Sequence, residues 1–343
     1  MMGLVLGIET SCDETAAAVV DEDFHVLSSV IESSIDQHRA FGGVVPELAG
    51  RAHVATIGPV VRRALLDAGL NPQGPAILGI AVTSGPGLIG SLLVGLSAAK
   101  AYALAWGVPF VGVNHLEGHL FAPLLEQSDL EWPLMTLLVS GGHSLIVLQS
   151  GPGEHQVLGE TIDDAAGEAY DKVARWLGLG YPGGPEIDHL AQSGVAGALK
   201  LPQSMTGDGY DLSFSGLKTA VLQAVRAATL SEQERADVAF AVQDAIVATL
   251  CTKALRALAY TGHGALVVAG GVGANRELRQ RLTHEATALG AQVYFPRLEF
   301  CTDNAAMIAV AGLQRLRAHE QSSGGIEVRA RWPLSELRPP GAA

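Results

Sequence analysis

The sequence predicts a duplicated α/β fold, two lobes built on one plan with a nucleotide cleft between them. Three observations carry that prediction. The opening run of strand, polar turn and strand (LVLGIET, SCDET, AAAVVD) returns in mid-chain as TLLVS, GGH and SLIVLQ. Each hairpin is followed by a strand, a glycine loop and a helix. In the first copy Ile77–Thr83 runs into SGPGLIG and Ser91–Trp106; in the second, Leu266–Ala269 runs into GGVGAN and RELRQRLTHEA. Glycine loops therefore recur at strand ends, where backbone N–H groups can approach a phosphate or ribose closely.

The elements follow in order. MMGLVLGIET meets Glu9 after a short apolar run and reads as a buried strand. Glu47–Ala68 has apolar residues at helical spacing, interrupted by Pro59. The strand Phe110–Val113 leads into His115-Leu-Glu-Gly-His119. Ser231-x-x-Glu234 forms a capping box that opens a helix to Ala259, with Val238, Val242, Ile246 and Leu250 four apart. Asp303–His319 is the final helical stretch, able to pack on either lobe, while Ser322–Gly325 and Pro339–Ala343 are expected to be mobile. The expected lobes are 1–130, joined by the C-terminal helix 303–325, and 131–302, followed by a tail, 326–343. Their junction is placed near Gln127–Trp132.

Composition narrows the function classes. At 343 residues the chain holds about two domains. An apolar fraction of 48% with 17% charged residues is enough for a core and argues against wholesale disorder. The net charge of −13 gives no blanket attraction to nucleic acid or anionic membrane, so such binding needs a local basic face. Candidates for that face are Arg62-Arg63, Arg276–Arg281, Arg315 with Arg317, and Arg329 with Arg331; from sequence they read as scattered solvated charges. No apolar run approaches the ~18–20 residues of a membrane span, and the N-terminus lacks the basic region of a signal peptide. Cys12, Cys251 and Cys301 are too few and too scattered for a disulfide framework, which points to a reducing, intracellular compartment.

Three constellations bear chemistry. On a helix, His115 and His119 lie about 40° apart around the axis and can face one metal ion. Asp303, in Cys301-Thr-Asp-Asn304, is a carboxylate able to join them. Two histidines and one carboxylate leave coordination positions open, as in facial-triad iron or catalytic zinc sites. Glu117 is about 200° from His115 on a helix, so a metalloprotease mechanism is disfavoured. The second constellation is the pair of loops Ser140-Gly141-Gly142-His143 and Gly270–Asn275, the latter opening a helix. The third holds Asp164, Glu168, Asp171 and Lys172 at helical spacing, followed by Tyr181-Pro-Gly-Gly184-Pro and Asp188. A salt-bridged solvated face would explain the spacing; Asp171 or Asp188 could instead accept hydrogen bonds from ribose hydroxyls.

These residues resemble a known family. Gly7–Thr15 (GIETSCDET), Asn114–His119, Leu138–His143, Ile162–Glu168, Tyr181–Pro185, Phe214–Lys218, Gly270–Asn275 and Cys301–Asn304 are similar, in order and over nearly the whole chain, to the bacterial TsaD family. Gly273 departs from the family, which often has Ser there, and the tail after about Glu320 carries little of the likeness. The resemblance implies an actin-like, ASKHA-type two-lobed fold. It implies transfer of the threonylcarbamoyl group from threonylcarbamoyl-AMP to N6 of adenosine 37, in the anticodon loop of tRNAs reading ANN codons. It further implies that His115, His119 and Asp303 hold one divalent metal, Fe(II) with Zn as competitor. Leu138, Val139, Ser140, Gly141, Gly142, Asp171, Gly184, Asp188 and Asn275 would hold the nucleotide-bearing substrate. Partners would be TsaB and TsaE, with a YrdC-like enzyme supplying the donor, in the cytoplasm and away from any membrane. An apolar helix surface within Glu47–Ala68 is the expected meeting face for TsaB.

For such a transfer the expected general base is Asp13 or Glu14, in the turn of the first hairpin; their other reading is to orient water or ATP linked to TsaE. Two other classes compete on the same fold. A non-catalytic scaffold subunit would not need His115, His119 and Asp303. A small-molecule kinase would bind Mg·ATP through oxygen ligands and has no use for the histidine pair.

Overall fold

Five strands, β1 (Val5–Glu9), β2 (Glu14–Val20), β3 (Val26–Ser33), β4 (Gly79–Gly85) and β5 (Phe110–Asn114), form the first sheet in the order β3-β2-β1-β4-β5. The computed structural model describes residues 3–127, 130–202, 207, 209–227 and 229–342. Part of the expected junction, Ser128 and Asp129, lies outside the described residues. Within them the chain divides into two compact units. One is Met1–Trp132 with Gln149–Gln156 and Pro296–Ala343; the other is Pro133–Leu148 with Val157–Phe295.

In the first unit β1 runs antiparallel to β2, Val5 facing Val20 and Glu9 facing Ala16, and parallel to β4, which is parallel to β5. Helices cover both faces, which is why β1, β2 and β4 are continuously apolar rather than alternating. Leu6, Ile8, Ala17, Val19, Ile80 and Val82 point one way, onto α2 (Pro46–Asp67) and α3 (Ile89–Trp106). Val5, Ala16, Ala18, Ala81 and Val113 point the other way, onto α11 (Ala305–Arg317). Two glycines let α11 lie directly on that face. A Cβ at Gly7 would sit 2.1 Å from the Ala305 carbonyl oxygen, and one at Gly312 would sit 2.2 Å from Ala81 Cβ. The four-residue turn α1 (Ile35–His38) and the short α4 (His115–Phe121) complete the unit before the second begins. Helix α2 passes through Pro59 without ending. Both Pro59 and Ala55, whose carbonyl loses its helical donor, are exposed, so water can satisfy that oxygen.

The second unit repeats the plan. Its sheet is built from β6 (Leu134–Val139), β7 (Ser144–Gly151), β8 (Glu154–Glu160), β9 (Ala265–Ala269) and β10 (Gln292–Tyr294) in the order β10-β9-β6-β7-β8, the stretch Gln149–Gln156 of β7 and β8 counting with the first unit. Counted from the first strand of each unit, this is the order of the first sheet, and β9 runs parallel to β6 as β4 does to β1. Helices α5 (Ala166–Trp176), α6 (Gly183–Ala191), α7 (Ser215–Ala227), α8 (Glu232–Thr261) and α9 (Arg276–Ala288) surround it. The capping box at α8 is present. Ser231 Oγ accepts from the Glu234 N–H at 3.3 Å, and Glu234 accepts from the Ser231 N–H at 2.8 Å. The single turn α10 (Leu298–Cys301) returns the chain to the first unit, where α11 packs on β1, β2, β4 and β5.

Helices α3 and α8 are long and apolar enough, by length and composition, to cross a bilayer, although neither holds an unbroken apolar run. Alanine, leucine and valine raise their average, and α8 is mostly buried as the core helix of its unit. One sequence expectation changes. The segment Ser322–Gly325 and its continuation are tied down rather than loose. Ser322 donates its N–H to the Phe110 carbonyl at 2.8 Å and accepts from the Gly112 N–H at 3.0 Å. Further along, Arg329 N donates to the Ser84 carbonyl, Lys100 Nζ to the Ile326 carbonyl, and Asn114 Nδ2 to the Trp332 carbonyl. Backbone groups of the edge strand β5 and of β4, with the side chains of Lys100 and Asn114, supply the partners, a three-dimensional fact that local composition does not report.

Candidate metal centre and substrate-binding loops

Strand β5 ends at Asn114, whose side chain accepts from the N–H groups of Leu116 (2.9 Å) and Glu117 (3.3 Å) and so starts α4. One helical turn then places His115 and His119 on the same side, ring centroids 4.8 Å apart and nearly perpendicular. Asp303 comes from the turn before α11, which Asn304 caps by accepting from the Met307 N–H. Asp303 Oδ1 lies 3.1 Å from His119 Nε2 and 3.5 Å from His115 Nε2. The three candidate ligand atoms all fall within 4.8 Å of one another, with both histidines buried.

A second layer surrounds them. His115 Nδ1 bonds to Glu9 Oε2 at 2.9 Å and lies 3.2 Å from Ser11 Oγ, while Thr83 Oγ1 donates to the same Glu9 oxygen at 2.6 Å. The Ser11 N–H donates to the other Glu9 oxygen. Burial alone would neutralise both His115 and Glu9. Instead Asp303 and Glu9 lift the imidazole to about 9, and His115 holds the Glu9 carboxyl below its ordinary value. This donor set fits a divalent ion. With an ion bound, Glu9 would keep the His115 proton on Nδ1 and leave Nε2 to coordinate, the carboxylate–histidine–metal arrangement. His119 aims Nε2 at the same point, and among the described residues its buried Nδ1 has no partner. Glu9 was missed in the sequence; the signal available was a carboxylate ending an otherwise apolar strand.

Asp13 and Glu14 lie in the β1–β2 turn of this unit. Ser34 donates both its N–H and its hydroxyl to the Asp13 carbonyl, and His53 Nε2 bonds the Cys12 carbonyl at 3.0 Å. Burial, then the negative charges of Asp303 and Asp13, pushes the Glu14 carboxyl up to about 9. In the metal-free protein Glu14 is therefore a protonated acid hydrogen-bonded to Asp13, not a ready base.

The expected substrate residues belong to the second unit. Leu138 and Val139 are buried in β6, leaving their backbone and the turn that follows to meet a ligand. In that turn Ser140 N donates to the His143 carbonyl at 2.8 Å, and Gly167 N to the Ser140 carbonyl at 3.2 Å. Gly141, Gly142 and Gly184 all have open space where a Cβ would stand. Asp171 Oδ1 accepts from the Gly183 N–H at 2.7 Å, bracing the start of α6. Asn275 caps α9 and reaches Gln243 at 2.8 Å and Asp188 at 3.5 Å; Asp188 pairs with Arg276 at 2.8 Å. The loop Gly270–Asn275 packs on β6, Gly270 adopting φ +88° against the Val139 carbonyl. Asp171, Asp188 and Asn275 thus already hold protein partners. The Asp164–Glu168–Lys172 cluster is a salt-bridged face: Lys172 lies 2.7 Å from Asp164 and 2.9 Å from Glu168, and Lys218 also pairs with Asp164.

The family model described as TsaD, tRNA N6-adenosine threonylcarbamoyltransferase, matches residues 25–310. The chain belongs to the TsaD family. For this TsaD chain the match takes in His115, His119, Asp303 and all nine expected substrate residues; Glu9, Asp13 and Glu14 precede it, and the tail follows it. Solved structures similar to the TsaD chain share its fold at low identity. Component A of (R)-2-hydroxyglutaryl-CoA dehydratase from Acidaminococcus fermentans is 13% identical with a TM-score of 0.54, covering 92% of this chain and 99% of its own. HypF from T. kodakarensis is 14% identical with a TM-score of 0.62, covering 93% of this chain and 48% of its own. A full-length HypF in a phosphate- and nucleotide-bound form is 13% identical with a TM-score of 0.60, covering 93% and 47%. The TsaD chain therefore has the two-lobe, actin-like α/β fold, and its family catalyses threonylcarbamoyl transfer to tRNA.

Proposed function

We propose that this TsaD-family chain transfers the threonylcarbamoyl group of threonylcarbamoyl-AMP to N6 of adenosine 37 in tRNAs reading ANN codons. The observation that carries the reading is the meeting of His115, His119 and Asp303 around one point, with Glu9 behind His115. Those residues would hold a divalent ion, Fe(II) first and Zn as competitor, because two imidazoles and one carboxylate suit either. When bound, such an ion supplies Lewis-acid polarisation of the donor's carbonyl or threonyl oxygens.

The donor is a mixed carbamic–phosphoric anhydride, already activated, so the protein's work is alignment and charge stabilisation. The amides of Gly141 and Gly142 would face the charge gathering on the departing AMP phosphate. Asp171, Asp188 and Asn275 would exchange present protein contacts for the nucleotide, beside the open Gly184; a solved structure of the same fold carries a bound nucleotide. The adenine amine is a weak nucleophile and loses a proton as it attacks. Asp13 or Glu14, beside the metal centre at the start of β2, would accept that proton. Adenosine 37 is single-stranded and can enter a site without melting a duplex.

TsaB and TsaE are the proposed companions, in the cytoplasm. The exposed apolar side chains Val54 on α2 and Ile89, Leu93 and Leu104 on α3 support docking of TsaB there. The deciding experiment incubates the iron-loaded protein and its companions with unmodified tRNA and threonylcarbamoyl-AMP, then digests the tRNA for nucleoside analysis. Threonylcarbamoyladenosine should form with the wild type and fail to form with His119→Ala. Its absence in the wild-type reaction overturns the reading.

A further inference from the structure

We infer that the buried ion pair Glu117–Arg315 is a positioning brace that sets metal affinity without touching the metal. Glu117 lies between the two histidines in sequence but on the opposite side of α4, away from Asp303. There it is 1% exposed and accepts from Arg315 Nη2 at 2.9 and 3.0 Å and from Arg315 Nε at 3.2 Å. It also accepts from the Gly153 N–H at 3.1 Å, and His155 Nε2 lies 3.5 Å away. Arg315 is 6% exposed and uses its remaining nitrogen on Glu320 at 3.1 Å.

Ordinary core helices do not need such a pair. A buried ion pair contributes little net stability compared with apolar packing, and holds a defined geometry instead. The geometry here concerns two short segments, α4 with both histidines and α11 with Asp303 just ahead of it. Arg315 is roughly 16 Å along α11 from Asn304. Between these ends Gly118 faces Ile308 so closely that a Cβ would lie 2.7 Å from its Cδ1. Asp303 meets the histidines at one end of α11 and Glu117 grips the other, so α11 can neither slide nor roll on α4. The fork of Arg315 fixes angle as well as distance, which a lysine would not.

The inference rests on the metal reading above, and the test separates the two. Zinc alone is titrated into wild type, His115→Ala, Glu117→Gln, Arg315→Lys and the double variant Glu117→Gln/Arg315→Met, with a chromophoric chelator as competitor. Melting of each metal-free protein is measured alongside. Wild type should bind one zinc and His115→Ala should lose it; equal binding by both overturns the metal reading itself. Glu117→Gln should bind zinc about tenfold more weakly, the low end of the range for groups that orient a metal ligand directly. Arg315→Lys, which keeps the charge and folds most readily, should weaken binding several-fold. The double variant should regain thermal stability, having no unpaired buried charge, yet keep the weak affinity. Cobalt(II)-loaded Glu117→Gln should show shifted d–d bands, which a merely structural residue would not move. Wild-type zinc affinity in Arg315→Lys and in the double variant, or affinity that recovers together with melting temperature, overturns the brace.

Discussion

At the scale of single residues the site is governed by carboxylates that are not ligands. Glu9 is the clearest case, since it fixes which nitrogen of His115 carries the proton. Glu9→Gln keeps the shape and removes the charge. Its zinc affinity, measured by chelator competition, should fall 10–100-fold, whereas Glu47→Gln, at an exposed ion pair on α2, should leave it unaltered. Glu14 makes a prediction of opposite character. Its carboxyl titrates near 9 in the folded metal-free protein against an ordinary value of 4.5, so between these pH values the folded state binds more protons than the unfolded one. Unfolding free energy then decreases as pH rises through that window, and Glu14's stabilising contribution is complete only below about 4.5. Denaturant midpoints of metal-free wild type should decline from pH 5 to pH 9 more steeply than those of Glu14→Gln. Zinc should flatten the wild-type slope, because a nearby cation offsets the Asp303 charge that helps raise Glu14.

At the scale of elements, close approach decides where ligands stand. Helix α11 brings Asp303 to the histidines because it rests on the sheet with only hydrogen atoms between at Gly7 and Gly312. Gly7→Ala would set a methyl 2.1 Å from the Ala305 carbonyl and 2.9 Å from the Ala309 nitrogen, both backbone atoms of α11. Overpacking of this kind costs about 1–3 kcal/mol or more, read as a lower urea midpoint. Because the clash falls within the first turn of α11, zinc affinity should drop with it. Much of this element-level design was legible beforehand. The repeated hairpin, strand, glycine loop and helix foretold two sheets of one order, and the His115–His119 spacing foretold a shared face. Glu117's exclusion as a metal-side base was legible from helical angle alone. Its partner was not, since Arg315 is 198 positions away and nothing local marks it. The tail that binds β5 was illegible for the same reason: backbone donors of an edge strand leave no pattern in the sequence that covers them.

At the scale of the whole molecule the question is how so acidic a chain holds tRNA. The net charge is −13, and its arginines are largely spent on partners within the chain. Arg63 pairs with Asp67, Arg276 with Asp188, Arg281 with Asp244 and Glu285, and Arg329 with Glu336; Arg315 is buried on Glu117. Surface pairs like these are individually worth little, but each neutralises a cation that a phosphate would otherwise release counterions to meet. Single-stranded contacts each contribute roughly 0.7 to the slope of log affinity against log salt. Tight binding through five or more phosphates would therefore give a slope steeper than about −3.5. The pairing of these arginines predicts a slope shallower than about −1.5 for this chain alone, with weak affinity at 150 mM salt. Adding TsaB and TsaE should steepen the slope if they bring the missing basic surface. A steep slope for the isolated chain would instead mean that these ion pairs open and that the arginines converge on the anticodon arm.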